Sequence, residues 1–154
     1  MNWEAIGAIG ETLGSLVVIA SVIYLALQLR QTNDISRFNT AKELLSRFNE
    51  INSHLVSDQS LRKLLSKKDL LTPEEEEQLY AFTNLMINVW LSVQEARNAG
   101  QLDKDLFEAM IRDVDVTLER WPLTKPQIEQ WLERYPEVQH YRVFDPVLRP
   151  DGQP

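Results

Sequence analysis

The sequence predicts an all-helical chain: a single N-terminal transmembrane helix followed by a small cytoplasmic helical bundle. Three observations carry this. Residues from Thr12 to Leu29 are uncharged and mostly apolar. Downstream, helix-starting and helix-stopping residues alternate with apolar runs of helical period, and no stretch shows sustained strand-like alternation. The expected organisation is an anchor at 1–31, a juxtamembrane amphipathic helix at 32–56, a bundle at 57–145 and a loose tail at 146–154.

Between Ala5 and Leu29 the only charge is Glu11. A helix over these residues is roughly 37 Å long, enough to cross a hydrocarbon layer of ~30 Å with some tilt. A helix in a soluble core normally shows a polar face at every turn, whereas here those positions hold small or weakly polar residues. A buried helix of a soluble bundle is the alternative. A cleaved signal peptide fits less well, because no basic region precedes the apolar run and no small-x-small site follows it.

The flanks predict orientation. Arg30, Arg37, Lys42 and Arg47 follow the span, and residues 1–29 hold no Lys or Arg. Positive charge stays on the cytoplasmic side, so the N-terminus is expected outside and the bundle inside. Trp3 and Tyr24 suit the two interfaces, and the basic flank suits anionic membrane lipid, at about 1 kcal/mol per well-placed charge.

Charge also excludes functions. The 154 residues carry a net charge of −7, which speaks against general nucleic-acid binding. Residues 30–68 are net basic, with eight Lys/Arg against four Asp/Glu, and residues 69–154 are strongly acidic, with eight against seventeen. Cysteine is absent, which excludes disulfides, thiolate zinc sites and cysteine nucleophiles.

One face of the span is a candidate helix–helix interface. Gly7, Glu11, Gly14, Val18, Ser21, Leu25 and Gln28 recur in alternating steps of four and three, and Gly10 with Gly14 forms a GxxxG. Small residues let backbones approach and polar ones hydrogen-bond across the contact. The plainer reading is that glycine is simply common in spans. A carboxylate in hydrocarbon is costly, so Glu11 is expected to face a partner or water, or else to lie among the outer head groups.

Beyond the span, Ile35, Phe38, Ala41, Leu44, Leu45, Phe48, Ile51 and Leu55 mark a helical stripe. One reading continues it from the anchor as a single rod, since no Gly or Pro intervenes between Arg30 and Leu55; the alternative is a kink or cap at Asn33-Asp34. A short helix over 58–68 turns Leu61, Leu64 and Leu65 inward. Thr72-Pro73-Glu74-Glu75 predicts a capping box with proline at the first helical position. That helix runs to about Ala99, stops at Gly100, and is apolar nearly all round, as a central bundle helix should be. A second span over the uncharged residues 78–94 is the weaker alternative, since Thr83, Asn84, Asn88 and Ser92 interrupt it. Asp103 is expected to cap the next helix and Pro122 to end it. Thr124–Gln127 reads as another capping box, and Pro136 as the start of a last short helix bearing Val138, Tyr141 and Phe144.

Motifs for chemistry are sparse. Glu137-x-x-His140 has the spacing of half a di-iron site, and Glu50 and His54 lie one turn apart. A bundle di-iron site needs two Glu-x-x-His motifs and two further glutamates, so no metal or other cofactor is implied. Phosphate loops, GxSxG and HExxH are missing. Asn84, Asn88 and Trp90 form a possible pocket, with a satisfied polar network between helices as the plainer reading.

The opening Met1–Glu11, the aliphatic run closing Tyr24-Leu25-Ala26-Leu27-Gln28-Leu29-Arg30-Gln31, the acidic start Pro73–Glu77, Trp90 and Gly100-Gln101-Leu102 resemble a set of small bacterial membrane-anchored proteins without assigned activity. The resemblance implies a bacterial cytoplasmic membrane and no catalytic residues. Three functions are then in view. The first is a non-enzymatic assembly protein that self-associates through its span, with the juxtamembrane helix extending the contact. The second is an accessory subunit of a larger membrane complex. The third is an enzyme or ligand sensor using the bundle interior near Asn84 and Asn88.

Overall fold

The computed structural model describes residues 2–149; side chains at 4–6, 8, 9 and 12 fall outside the description, as does the tail at 150–154. Six α-helices and two 3-10 turns make up the described residues, and no strand is present among them. The chain divides after Asn39 into two compact units.

The first helix, α1, runs Trp3–Ser57 without interruption. Its first part, to Asn39, forms the first unit. From Leu13 to Leu29 every described side chain is exposed. This is the single described helix long and apolar enough to cross a membrane.

The second unit begins inside α1. Ala41, Leu44, Phe48, Ile51 and Leu55 turn into the bundle core. Asp58 caps α2 (Gln59–Leu65) by accepting from the backbone N–H of Ser60 and Leu61 at 2.8 and 3.1 Å. The Ser60 hydroxyl, which also donates to Asp58 at 2.7 Å, and after it the backbone bonds hold the carboxyl below the usual range. Leu61, Leu64 and Leu65 are buried, as their spacing predicts.

The central helix is α3 (Pro73–Asn98), which packs on α2, on α4 (Lys104–Arg120) and on α5 (Thr124–Arg134). The capping box is present in both directions: Glu75 N–H donates to Thr72 Oγ1 at 3.3 Å, and Thr72 N–H donates to Glu75 Oε2 at 2.8 Å. Leu79, Ile87, Trp90 and Val93 are almost wholly buried. The helix ends in a Schellman turn, with Gln101 N–H on Ala96 O, Gly100 N–H on Arg97 O, and Gly100 at φ +68°. Asp103 then caps α4 through Leu106 N–H at 2.9 Å.

The C-terminal part differs from the expectation in three places. Thr124 does not cap α5. It is the first residue of the helix, wholly buried, and its hydroxyl donates back to Trp121 O at 2.8 Å. The expected helix after Pro136 is two 3-10 turns, Pro136–Val138 and Arg142–Phe144. The start of the expected loose tail is ordered as α6 (Asp145–Leu148), which buries Val147. Proline fits the first turn of a helix, where its missing N–H costs nothing, so Pro146 is compatible with this ending. Val143, Phe144 and Val147 close the core against α4 and α5.

Candidate functional site

Every member of the candidate seam is exposed: Gly7, Gly10, Glu11, Gly14, Val18, Ser21, Leu25 and Gln28. The side chains of Ser21 and Gln28 and the backbone carbonyl of Glu11 are used locally. Ser21 Oγ donates to Val17 O at 2.8 Å, Glu11 O accepts from Ser15 Oγ at 2.8 Å, and Gln28 Nε2 donates to Tyr24 OH at 3.1 Å. A Cβ placed on Gly7, Gly10 or Gly14 meets nothing within 4 Å. Packing within the chain therefore does not require glycine at these positions, although each costs the helix roughly 1 kcal/mol relative to alanine.

The flanking cations Arg30, Arg37, Lys42 and Arg47 are likewise exposed. Arg47 pairs with Glu43 one turn earlier at 2.8 Å, a solvent-facing helix pair of small energetic worth.

The possible pocket residues are not brought to one place. Trp90 is wholly buried, Asn84 is half-buried and Asn88 is exposed. Two residues apart on a helix means about 200° of rotation, which separates Asn88 from Trp90. Trp90 instead lines a cavity of ≈ 100 Å³ with Phe48, Ile51, Met86 and Asp113. Its Nε1 is buried and no protein atom accepts from it. Burial pushes the Asp113 carboxyl up. This cavity shares Asn52, Leu55, Arg120 and Trp121 with a wider groove of ≈ 690 Å³ that Arg62 also lines. Both arginines are already engaged. Arg120 lies over the Trp121 ring at 5.3 Å, and Arg62 donates to the carbonyls of Leu55 and Val56 at the end of α1. Between α1 and α3 a groove of ≈ 440 Å³ of mixed lining takes Thr40, Glu43, Arg47, Ser92, Glu95 and Gln101 together with the apolar Leu44, Ala96 and Ala99.

Three polar ties were not expected from the sequence. Gln94 is buried on α3, where its side-chain oxygen accepts from Val143 N–H at 3.3 Å and its amide donates to Asn98 at 2.9 Å. A glutamine one turn beyond the buried Trp90 was the available signal. Arg142 reaches Glu108 with both terminal guanidinium nitrogens, Nη1 and Nη2, at 2.9 and 3.3 Å, and holds that carboxyl below the usual range. Tyr141 donates to Glu95 at 2.5 Å, which raises the phenol.

Glu137, His140, Glu50 and His54 are all exposed. Among the described residues no group of three or more His, Asp or Glu is placed to hold a metal ion. No protein-family model matches the chain, and no curated protein and no solved structure matches it.

Proposed function

We propose that the protein is a non-enzymatic, membrane-anchored assembly protein whose span self-associates through the Gly7–Gln28 seam. The observation that carries this reading is the uncovered apolar surface of α1. Leu16, Val17, Val18, Ile19, Val22, Ile23, Leu25 and Leu27 are each 56–65% exposed, with no charge among them. A soluble core helix covers such side chains with the rest of its own chain. Soluble monomers rarely expose a contiguous apolar patch above a few hundred Å². Hydrocarbon is the solvent that suits this surface.

The glycines favour a partner helix at the seam, since packing within the chain does not account for them. Without a water-driven hydrophobic effect between spans, close backbone approach supplies the contact energy. Arg30, Arg37, Lys42 and Arg47 support a cytoplasmic bundle, and the resemblance to small bacterial membrane-anchored proteins supports a bacterial cytoplasmic membrane.

The test is to fractionate cells, wash the membranes at alkaline pH, and measure the intact particle in mild detergent. Retention in the washed membrane and a particle of several copies are expected, with Gly14→Leu lowering the copy number. Release by the wash removes the anchor. A particle with one copy beside unrelated subunits replaces self-association by an accessory role, and an unchanged Gly14→Leu particle removes the seam.

A further inference from the structure

The wider groove beside Trp121 lies within the second unit, where the end of α1, α2 and the end of α4 meet. Leu55, Val56, Leu65 and Trp121 give it an apolar wall, and Val56 is 76% exposed. Arg62 and Arg120 give it two guanidinium groups, and among the described residues no Asp or Glu lines it. The chain as a whole is acidic, at −7. The groove's ≈ 690 Å³ falls within the range of small-molecule sites, roughly 300–1,000 Å³, which likewise set a few polar groups in an apolar wall. Arg62 Nη1 donates to the Leu55 and Val56 carbonyls, which fixes the guanidinium at the end of α1 and leaves Nη2. Arg120 lies over the Trp121 ring at 5.3 Å and forms no ion pair among the described residues. The ring attracts the cation through its π face, so the N–H donors of Arg120 have no carboxylate to meet.

We propose that this groove binds a carboxylate-headed amphiphile, an alkyl chain ending in one carboxylate. The head meets Arg62 and Arg120, since the guanidinium fork matches a carboxylate with paired hydrogen bonds. The tail lies along Leu55 and Trp121 and ends in the adjoining cavity of ≈ 100 Å³, against Phe48, Ile51 and Met86. Groove and cavity adjoin at Asn52, Leu55, Arg120 and Trp121, so one molecule spans both. The direction of the molecule follows from charge. The cavity is lined by Asp113, where a carboxylate head would meet its like, and the groove offers the two cations. No part of the site lies in the first unit, so it stands whether or not residues 5–29 span a membrane.

The test is calorimetric titration of the full-length protein in nanodiscs of zwitterionic lipid, against empty nanodiscs. Decanoate is expected to bind saturably at one per chain. It is expected to bind at least about tenfold more tightly than butanoate, whose tail buries fewer methylenes. Decyltrimethylammonium, with the same tail and the opposite charge, is expected not to saturate. Arg120→Gln is expected to weaken decanoate by about tenfold, the worth of a hydrogen bond to a charged group. Because Arg120 also touches Trp121, a second variant leaves that contact in place. Asn52→Asp, at an exposed position of α1, adds a carboxylate to the shared wall and is expected to weaken decanoate by a similar factor. Equal binding of the two decyl compounds, unchanged affinity in either variant, or butanoate binding as tightly as decanoate overturns the proposal. An anionic lipid in the nanodisc that displaces decanoate gives the groove to membrane lipid and overturns the free carboxylate as its occupant.

Discussion

Lys67 and Glu75 form an ion pair at 2.5 Å across the turn between α2 and α3, and the same Glu75 oxygen accepts the Thr72 N–H that closes the capping box. One carboxylate thus joins two helices and starts the second. The Lys67 ammonium, and after it the Thr72 N–H, hold Glu75 below the usual carboxylate range. A carboxyl whose value is lower in the folded state stabilises the fold above its unfolded value. That contribution is lost as pH falls through the folded value. Glu75→Gln keeps the bond to Thr72 N–H but loses the pair. It is expected to melt lower than the parent near neutrality, with the gap closing as pH drops below about 4.3, where glutamates ordinarily protonate. Melting curves across pH 3–7 check this; a gap that stays constant with pH separates the pair from stability.

Gly100 ends α3 at φ +68° with open space where a Cβ would sit. Only the backbone conformation therefore resists a side chain. Gly100→Ala is expected to cost about 1 kcal/mol, and Gly100→Asn less, because asparagine tolerates the left-handed region. Urea unfolding of the two variants gives the ordering directly.

Thr83 is 2% exposed and its hydroxyl finds no partner. Valine has the same shape without the hydroxyl. Thr83→Val is expected to stabilise the bundle by about 1 kcal/mol, since a buried unpaired polar group costs on that order. A lower denaturation midpoint for this variant counts against the unpaired hydroxyl.

Gln94 is the buried acceptor for Val143 N–H. Gln94→Leu leaves that N–H unsatisfied and is expected to cost about 1–3 kcal/mol. Amide exchange is expected to accelerate in Arg142–Leu148 ahead of the rest of the bundle. Uniform acceleration across α3, α4 and α5 points to loss of packing instead.

Much of the helical order is written locally. Thr72, Pro73 and Glu75 act within one turn, and so do Gly100 and Asp103, which is why those boundaries are legible without a structure. Thr124 shows where this fails. The same threonine can cap a helix or bond backward, and tertiary burial decides for the backward bond to Trp121 O. The C-terminal end fails for a related reason. Pro146, Pro150, Gly152 and Pro154 look like a composition for loose chain, whereas Val147, with Val143 and Phe144, is held by contacts with α4 and α5 that residue order does not show. Of the candidate site, the apolar run and its charge-poor spacing are legible from residue order. The separation of Asn88 from Trp90 was also legible, as simple helical rotation. The Arg142–Glu108 and Gln94–Val143 ties were not, because each joins residues more than thirty positions apart.

The stretch of α1 from Leu29 to Asn39 buries no side chain, although it carries Ile35 and Phe38. Its helix is supported mainly by its own backbone bonds, so opening a turn there disturbs no core. Arg30 and Arg37 make this stretch a natural point of attack for trypsin under native conditions. With residues 5–29 in a membrane as proposed, brief digestion of washed membranes from opened cells sheds the helical bundle into solution as one protease-resistant fragment.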